Sequence, residues 1–231
     1  MIKKENDKVE FDELLNNLEY GDNNMKQIYI HGLGQTPEGW SKVINSLGSV
    51  ESKMCLDLAK LVQGRELTYQ NLYSAFSVVC DAIEEPISLC GLSLGGVLAL
   101  NYVIEHPEKV KALVCIATQF KMPKKLLKFQ NAVFRFMPKS MFQQMGFGKS
   151  DFLKLCSTMM ELDFSDSIHK ISCPTLVVYG EKDSANKNAS IELADILPNV
   201  ELQVLNGIGH EANTEAPEKL AESLNHFYTR V

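Results

Sequence analysis

Six short apolar runs separated by helical patterns constrain this chain more than any other feature. The runs lie at residues 27–30, 53–56, 87–90, 111–116, 175–179 and 201–205, each bounded by turn-forming residues. They are largely continuous rather than alternating, the pattern of strands buried on both faces. Between most of them the spacing turns helical, at 38–47, 66–83, 94–105, 186–197 and 217–228. Such alternation predicts an α/β chain whose doubly wound, mainly parallel sheet has about six strands.

One stretch breaks the rhythm. Residues 119–170 lie between two predicted strands but carry only helical spacing, so they read as a helical cap inserted over the sheet edge. The expected organisation is a core of 25–118 and 171–231 interrupted by that cap, with a polar segment 1–24 in front. In the front segment Phe11, Leu14, Leu15 and Leu18 have helical spacing ahead of Gly21, which predicts a short helix. No repeat or Gly/Ser/Pro-rich linker divides the chain, and 231 residues with 45% hydrophobic side chains suffice for one buried core.

Charge and composition exclude several function classes. A net charge of −6 with no basic arm or groove-reading motif argues against nucleic acid. Residues 1–22 alternate acids and bases without an apolar centre, unlike a secretory signal, and no run reaches membrane-spanning length. The expected location is the cytoplasm. Six cysteines form no C-x-x-C pair, and Cys90, Cys115 and Cys173 lie in or beside strand patterns, so reduced thiols are expected. The five histidines are scattered, leaving a metal site without sequence support.

The chemistry concentrates at Gly91-Leu92-Ser93-Leu94-Gly95, which follows one apolar run and opens a helical one. That is a strand, a very tight turn and a helix. A serine at such an apex has its hydroxyl pushed outward, while flanking glycines remove the Cβ atoms that would clash. A serine nucleophile then needs a base, and the base an orienting acid. His210, in Gly207-Ile208-Gly209-His210 after the last strand, and Asp183, in Gly180-Glu181-Lys182-Asp183 after the preceding one, both fall at the sheet's C-terminal edge. Glu181, Glu211, Asp163 and Asp166 are the rival acids. An oxyanion needs two N–H donors; Leu94 follows the nucleophile, and Leu33 in His31-Gly32-Leu33-Gly34 supplies the second. His31 itself reads as a brace for its loop.

With the His-Gly pair at His31-Gly32, the elbow at Ser93, and Asp183 and His210 in this order, the chain from about residue 25 onward resembles the α/β-hydrolase family. The resemblance is greatest to small bacterial esterases and carbon-carbon bond hydrolases. It implies a Ser-His-Asp hydrolase with a helical cap; the residues themselves lead to the expectation of a cofactor-free enzyme acting on an ester or thioester. Those proteins usually carry an antiparallel hairpin ahead of the His-Gly strand. Residues 1–24 are too short and polar to supply one, so the first strands are expected to be missing or replaced.

The cap should shape the substrate. Leu126, Phe129, Val133, Phe136 and Met137, continued by Phe142, Met145, Phe152, Met159 and Met160, could line a pocket for a modest apolar acyl group or simply pack the cap. Lys124, Lys125, Lys128 and Arg135 share the opposite face, where they could steer an anionic or carrier-bound substrate. Two other readings exist. A ligand receptor could use the same pocket without turnover. Gly32-Leu33-Gly34 with Asp57 approximates a dinucleotide fingerprint, but Pro37 replaces its third glycine.

Overall fold

The computed structural model describes residues 26–48, 52–143 and 148–231. The front segment 1–24 with its expected helix, and Met145, lie outside the described residues, as do the side chains of Leu126 and Phe129. Six strands, β1 (Lys26–Ile30), β2 (Lys53–Leu56), β3 (Ile87–Leu92), β4 (Val110–Ile116), β5 (Thr175–Gly180) and β6 (Val200–Leu205), form one sheet. Their order is β2-β1-β3-β4-β5-β6, and every adjacent pair is parallel. The order reverses between β1 and β3, the kind of point at which open α/β sheets bind ligands.

Successive side chains of a strand face opposite ways, so each strand feeds two cores. Ile28, Ile30, Leu89, Leu113, Cys115 and Val177 enter one; Tyr29, Cys90, Leu92, Val114, Ile116 and Val178 enter the other. The first is covered by Tyr69–Asp81 and Leu94–Glu105, the second by Ser41–Asn45 and Pro217–Tyr228. Double coverage explains why the central strands read as unbroken apolar runs. The edges differ. In β6, Glu201, Leu202 and Gln203 are exposed, because an edge strand has a neighbour on one side only.

Two predicted helices are shorter than their apolar spacing suggested. The expected helix at 38–47 is a tight Pro37–Trp40 turn followed by Ser41–Asn45. The one at 66–83 begins at Tyr69, where the Thr68 hydroxyl accepts the Asn71 N–H at 3.2 Å. A further short helix, Leu58–Leu61, is started by Asp57, whose carboxylate accepts the Ala59 and Lys60 N–H groups. Capping therefore occupies the carboxylate that suggested a ribose site.

Between β4 and β5 the chain is helical, with segments Lys124–Phe136, Lys139–Gln143 and Lys149–Met159. Its two ends meet in a short antiparallel bridge, Lys121 to Asp163. Rings of Phe134, Phe142 and Phe152 meet edge to face with centroids 5.1–6.1 Å apart. Phe142, Phe152 and Met159 are buried in the first core, whereas Val133 and Phe136 point outward, Phe136 being 90% exposed.

Candidate active site

Ser93 stands between β3 and the helix Leu94–Glu105 with φ 52° and ψ −111°, a conformation that costs an ordinary residue roughly 1–3 kcal/mol. Its neighbours make the turn possible. A Cβ on Gly91 would overlap the backbone of Gly95, and one on Gly95 would overlap the Ile30 carbonyl. The turn is pinned to the next strand by the Ser93 N–H, which donates to the Ile116 carbonyl at 2.8 Å.

Asp183 and His210 meet. The two loops that carry them leave β5 and β6, which are adjacent in the sheet. His210 Nδ1 lies 2.8 Å from Asp183 Oδ2. Asp183 is 6% exposed, so its charge has little water to share and takes the imidazole N–H instead. Burial pushes the Asp183 carboxyl up, but hydrogen bonds from His210 and Asn186 outweigh it and hold the group below its usual range. The same bond raises the His210 pKa above 6.5 against the opposing effect of burial, with Glu211 and Glu215 adding to the rise. Donation from Nδ1 leaves Nε2 as the acceptor.

Ser93 sits at the same edge of the sheet, but among the described residues its hydroxyl makes no hydrogen bond to His210. Beside it runs the loop after β1: a Cβ on Gly32 would lie 3.5 Å from the Ser93 Cβ. Among the described residues neither the Leu33 nor the Leu94 N–H has an acceptor, the first bond of the Leu94–Glu105 helix being Val97 N–H to the Ser93 carbonyl. Two unsatisfied donors therefore flank the serine, one at the positive end of a helix.

The other candidates have different roles. His31 is 1% exposed; one ring nitrogen contacts the Gly32 carbonyl at 2.9 Å and the other accepts the Leu58 N–H at 3.2 Å. It braces the loop and is held neutral, burial pushing its pKa down. Asp163 pairs with Lys121 and Ser165, Glu181 accepts the Gly207 N–H, and Glu211 accepts the Thr214 hydroxyl. Asp166 is exposed.

Four further polar side chains, absent from the sequence expectations, frame the site. Asn186 donates to both Asp183 oxygens, each at 2.9 Å, and Gln119 Nε2 donates to Asn186 Oδ1 at 2.9 Å. Gln35 and fully buried Asn213 exchange amide hydrogen bonds at 3.2 and 3.1 Å, tying the Leu33 loop to the segment after His210. Asn186 follows Asp183 by three residues and was open to inspection. The Gln35–Asn213 pairing spans 178 positions and leaves no local trace.

Comparisons extend this geometry. A family model described as serine aminopeptidase, S33, matches residues 62–164, a stretch that holds Ser93 but neither Asp183 nor His210. The pimeloyl-[acyl-carrier protein] methyl ester esterase of Aeromonas hydrophila subsp. hydrophila is 25% identical over 242 residues, spanning 87% of this chain and 94% of the esterase. The enol-lactonase from Burkholderia xenovorans LB400 superposes with a TM-score of 0.77 at 16% identity, over 91% of this chain and 93% of that one. MenH from S. aureus gives 0.75 at 15% identity, over 91% and 96%. The two structural likenesses are likenesses of fold.

Proposed function

This chain has the α/β-hydrolase fold and is a hydrolase, and from that premise we propose that it cleaves carboxylic esters or thioesters through Ser93, His210 and Asp183. The observation that carries the proposal is the 2.8 Å bond between His210 Nδ1 and Asp183 Oδ2, at the sheet edge where Ser93 is held in a strained turn. Few structural roles need a buried carboxylate, an imidazole with a free Nε2 and an outward serine together.

In the reaction, Ser93 Oγ attacks the acyl carbon as His210 Nε2 takes the hydroxyl proton. Asp183 holds the tautomer and stabilises the imidazolium. The oxyanion forms against the Leu33 and Leu94 N–H groups, which are without acceptors among the described residues. His210 then returns its proton to the departing alkoxide or thiolate, leaving an acyl-enzyme. Water repeats the cycle and releases the acid. No step calls for a cofactor.

The helical segment at 119–170 is read as the cap of this site; Phe142, Phe152 and Met159 pack it onto the core, and the graded ester series below reads the acyl length it admits. Similarity to an esterase whose substrate is borne on a carrier protein, with the basic face of Lys124–Phe136, supports an anionic or carrier-bound ester. Among the described residues no helix is long and apolar enough to cross a membrane.

A fluorophosphonate probe, beside p-nitrophenyl esters of graded chain length, tests the reading. The wild type labels at Ser93 and turns over short and medium esters, while Ser93→Ala loses about 10⁴-fold or more in kcat with its melting transition intact. Near wild-type turnover in Ser93→Ala rejects the nucleophile. Labelling without turnover of any ester points to a ligand receptor on the same fold.

A further inference from the structure

Asn186 stands at the N-cap of the helix Lys187–Ile196, the position where an asparagine side chain normally turns back to accept a backbone N–H. It makes no such bond. Its Nδ2 instead donates to Asp183 Oδ1 and Oδ2, both at 2.9 Å, and the residue is 9% exposed. The amide nitrogen also lies 3.1 Å from His210 Nδ1, but both nitrogens are donors aimed at one carboxylate, so that contact is convergence rather than a bond. A residue that gives up its local capping role for a buried carboxylate marks a place where the fold yields to another demand.

The amide is itself held. Gln119 Nε2 donates to Asn186 Oδ1 at 2.9 Å and to the Ala185 carbonyl at 3.0 Å, which fixes which end of the Asn186 amide faces Asp183. Gln119 reaches that loop from the tip of β4, where Ala117 has φ 49°, a left-handed conformation disfavoured for a residue with a Cβ. The same tip binds the nucleophile's turn, through the Ser93 N–H to the Ile116 carbonyl at 2.8 Å. One strand end thus touches both the serine's backbone and the amide that grips the acid.

We propose that Asn186, anchored by Gln119, is a positioning residue that fixes the Asp183 carboxylate in the plane of the His210 imidazole and takes up part of its charge. The inference rests on the reading of Ser93, His210 and Asp183 as the catalytic triad. With the amide present, three N–H groups share the carboxylate: two bonds from Asn186 and one from His210. Without it, the carboxylate can rotate, and its undivided charge acts on the imidazolium alongside Glu211 and Glu215, the other acids that raise His210.

The test is the pH profile of kcat/KM for a p-nitrophenyl ester in Asn186→Ala and Gln119→Ala, with thermal melts recorded beside it. Asn186→Ala should lower kcat about 10- to 100-fold with KM changed less than about twofold, because orientation rather than binding is lost. Its acidic limb should move, upward where the undivided charge dominates and downward where the freed carboxylate turns away from the imidazole. Gln119→Ala should move both quantities in the same direction by less. An unmoved limb and wild-type kcat in Asn186→Ala overturn the proposal whatever its melting temperature. If Asn186→Ala does not fold, Gln119→Ala decides, since Gln119 is only half-buried and its loss removes a single side chain from the loop; an unmoved limb there overturns the proposal equally. Activity surviving in Ser93→Ala would instead reject the triad, so the two failures are distinguishable.

Discussion

His210 is asked for opposite things by stability and by catalysis. In the proposed role of general base it must be neutral, and its pKa is raised above 6.5, first by the bond to Asp183. The acidic limb of kcat/KM should therefore lie above pH 6.5, with activity rising as the imidazole loses its proton. Stability runs the other way. A folded-state pKa above the unfolded one means that the His210 contribution is fully present below about pH 6.5 and is lost as pH rises through the folded value. For Asp183, held below its usual range, the contribution is present above about pH 4 and is lost as pH falls through the folded value. Both contributions coexist between about pH 4 and pH 6.5. The melting temperature of the wild type minus that of Asp183→Asn should accordingly be largest in that window and shrink where the enzyme works best. A difference that stays constant from pH 5 to pH 9 would show that the pair does not titrate in this way.

At the scale of elements, the order of strands and helices was written plainly in the sequence, and so were the residues that stand at their ends. Ser93, Asp183 and His210 each follow an apolar run that is a strand, so counting runs was enough to bring them to one edge. Helix starts are less legible because apolar spacing outruns capping: Thr68 and Asp57 stop or start helices by local hydrogen bonds that periodicity does not register. The polar pairs around the site were illegible for another reason. Gln35 and Asn213 meet only because the loop after β1 and the segment after β6 fold over the same end of the sheet. Asn213 also donates to the Gly39 carbonyl at 3.3 Å, so it joins the candidate oxyanion loop to the histidine's own loop. Asn213→Ala leaves Gln35 and a backbone carbonyl without this partner and should destabilise the fold by about 1–3 kcal/mol. It should also lower kcat more than it raises KM, since the Leu33 N–H would lose its register with the serine. Chemical denaturation with parallel kinetics would check both; a stability loss with unchanged kcat would make the clamp purely architectural.

For the molecule as a whole, the question is why an acidic protein places its bases so unevenly. Its net charge is −6, yet residues 119–160 hold eight lysines and arginines against the single acid Asp151. Half of those bases have structural partners. Lys121 pairs with Asp163, Lys124 with Glu161 and Lys154 with Glu66, while Lys149 donates to the Arg135 and Met137 carbonyls at the end of a helix. Lys124, expected from its sequence to belong to the free basic face, is thus neutralised by an acid just beyond the segment. Lys125, Lys128, Arg135 and Lys139 are exposed and without an ion pair among the described residues. Exposed charges are felt over a Debye length of about 8 Å at physiological salt, which suits them to guiding an approaching anion and gives them little weight in stability. Replacing Lys125, Lys128 and Arg135 by glutamate should leave the melting temperature within about 6 °C, because surface substitutions rarely exceed about 0.5 kcal/mol each and about 1 kcal/mol moves the transition of a chain this size by about 2–4 °C. For an acidic carrier-borne ester, kcat/KM should fall about 10-fold or more at low salt, and its decline with added salt should flatten or reverse. A neutral p-nitrophenyl ester should be turned over at the wild-type rate. If the triple variant handles the charged and neutral substrates alike and keeps the wild-type salt dependence, the basic face is solvated surface.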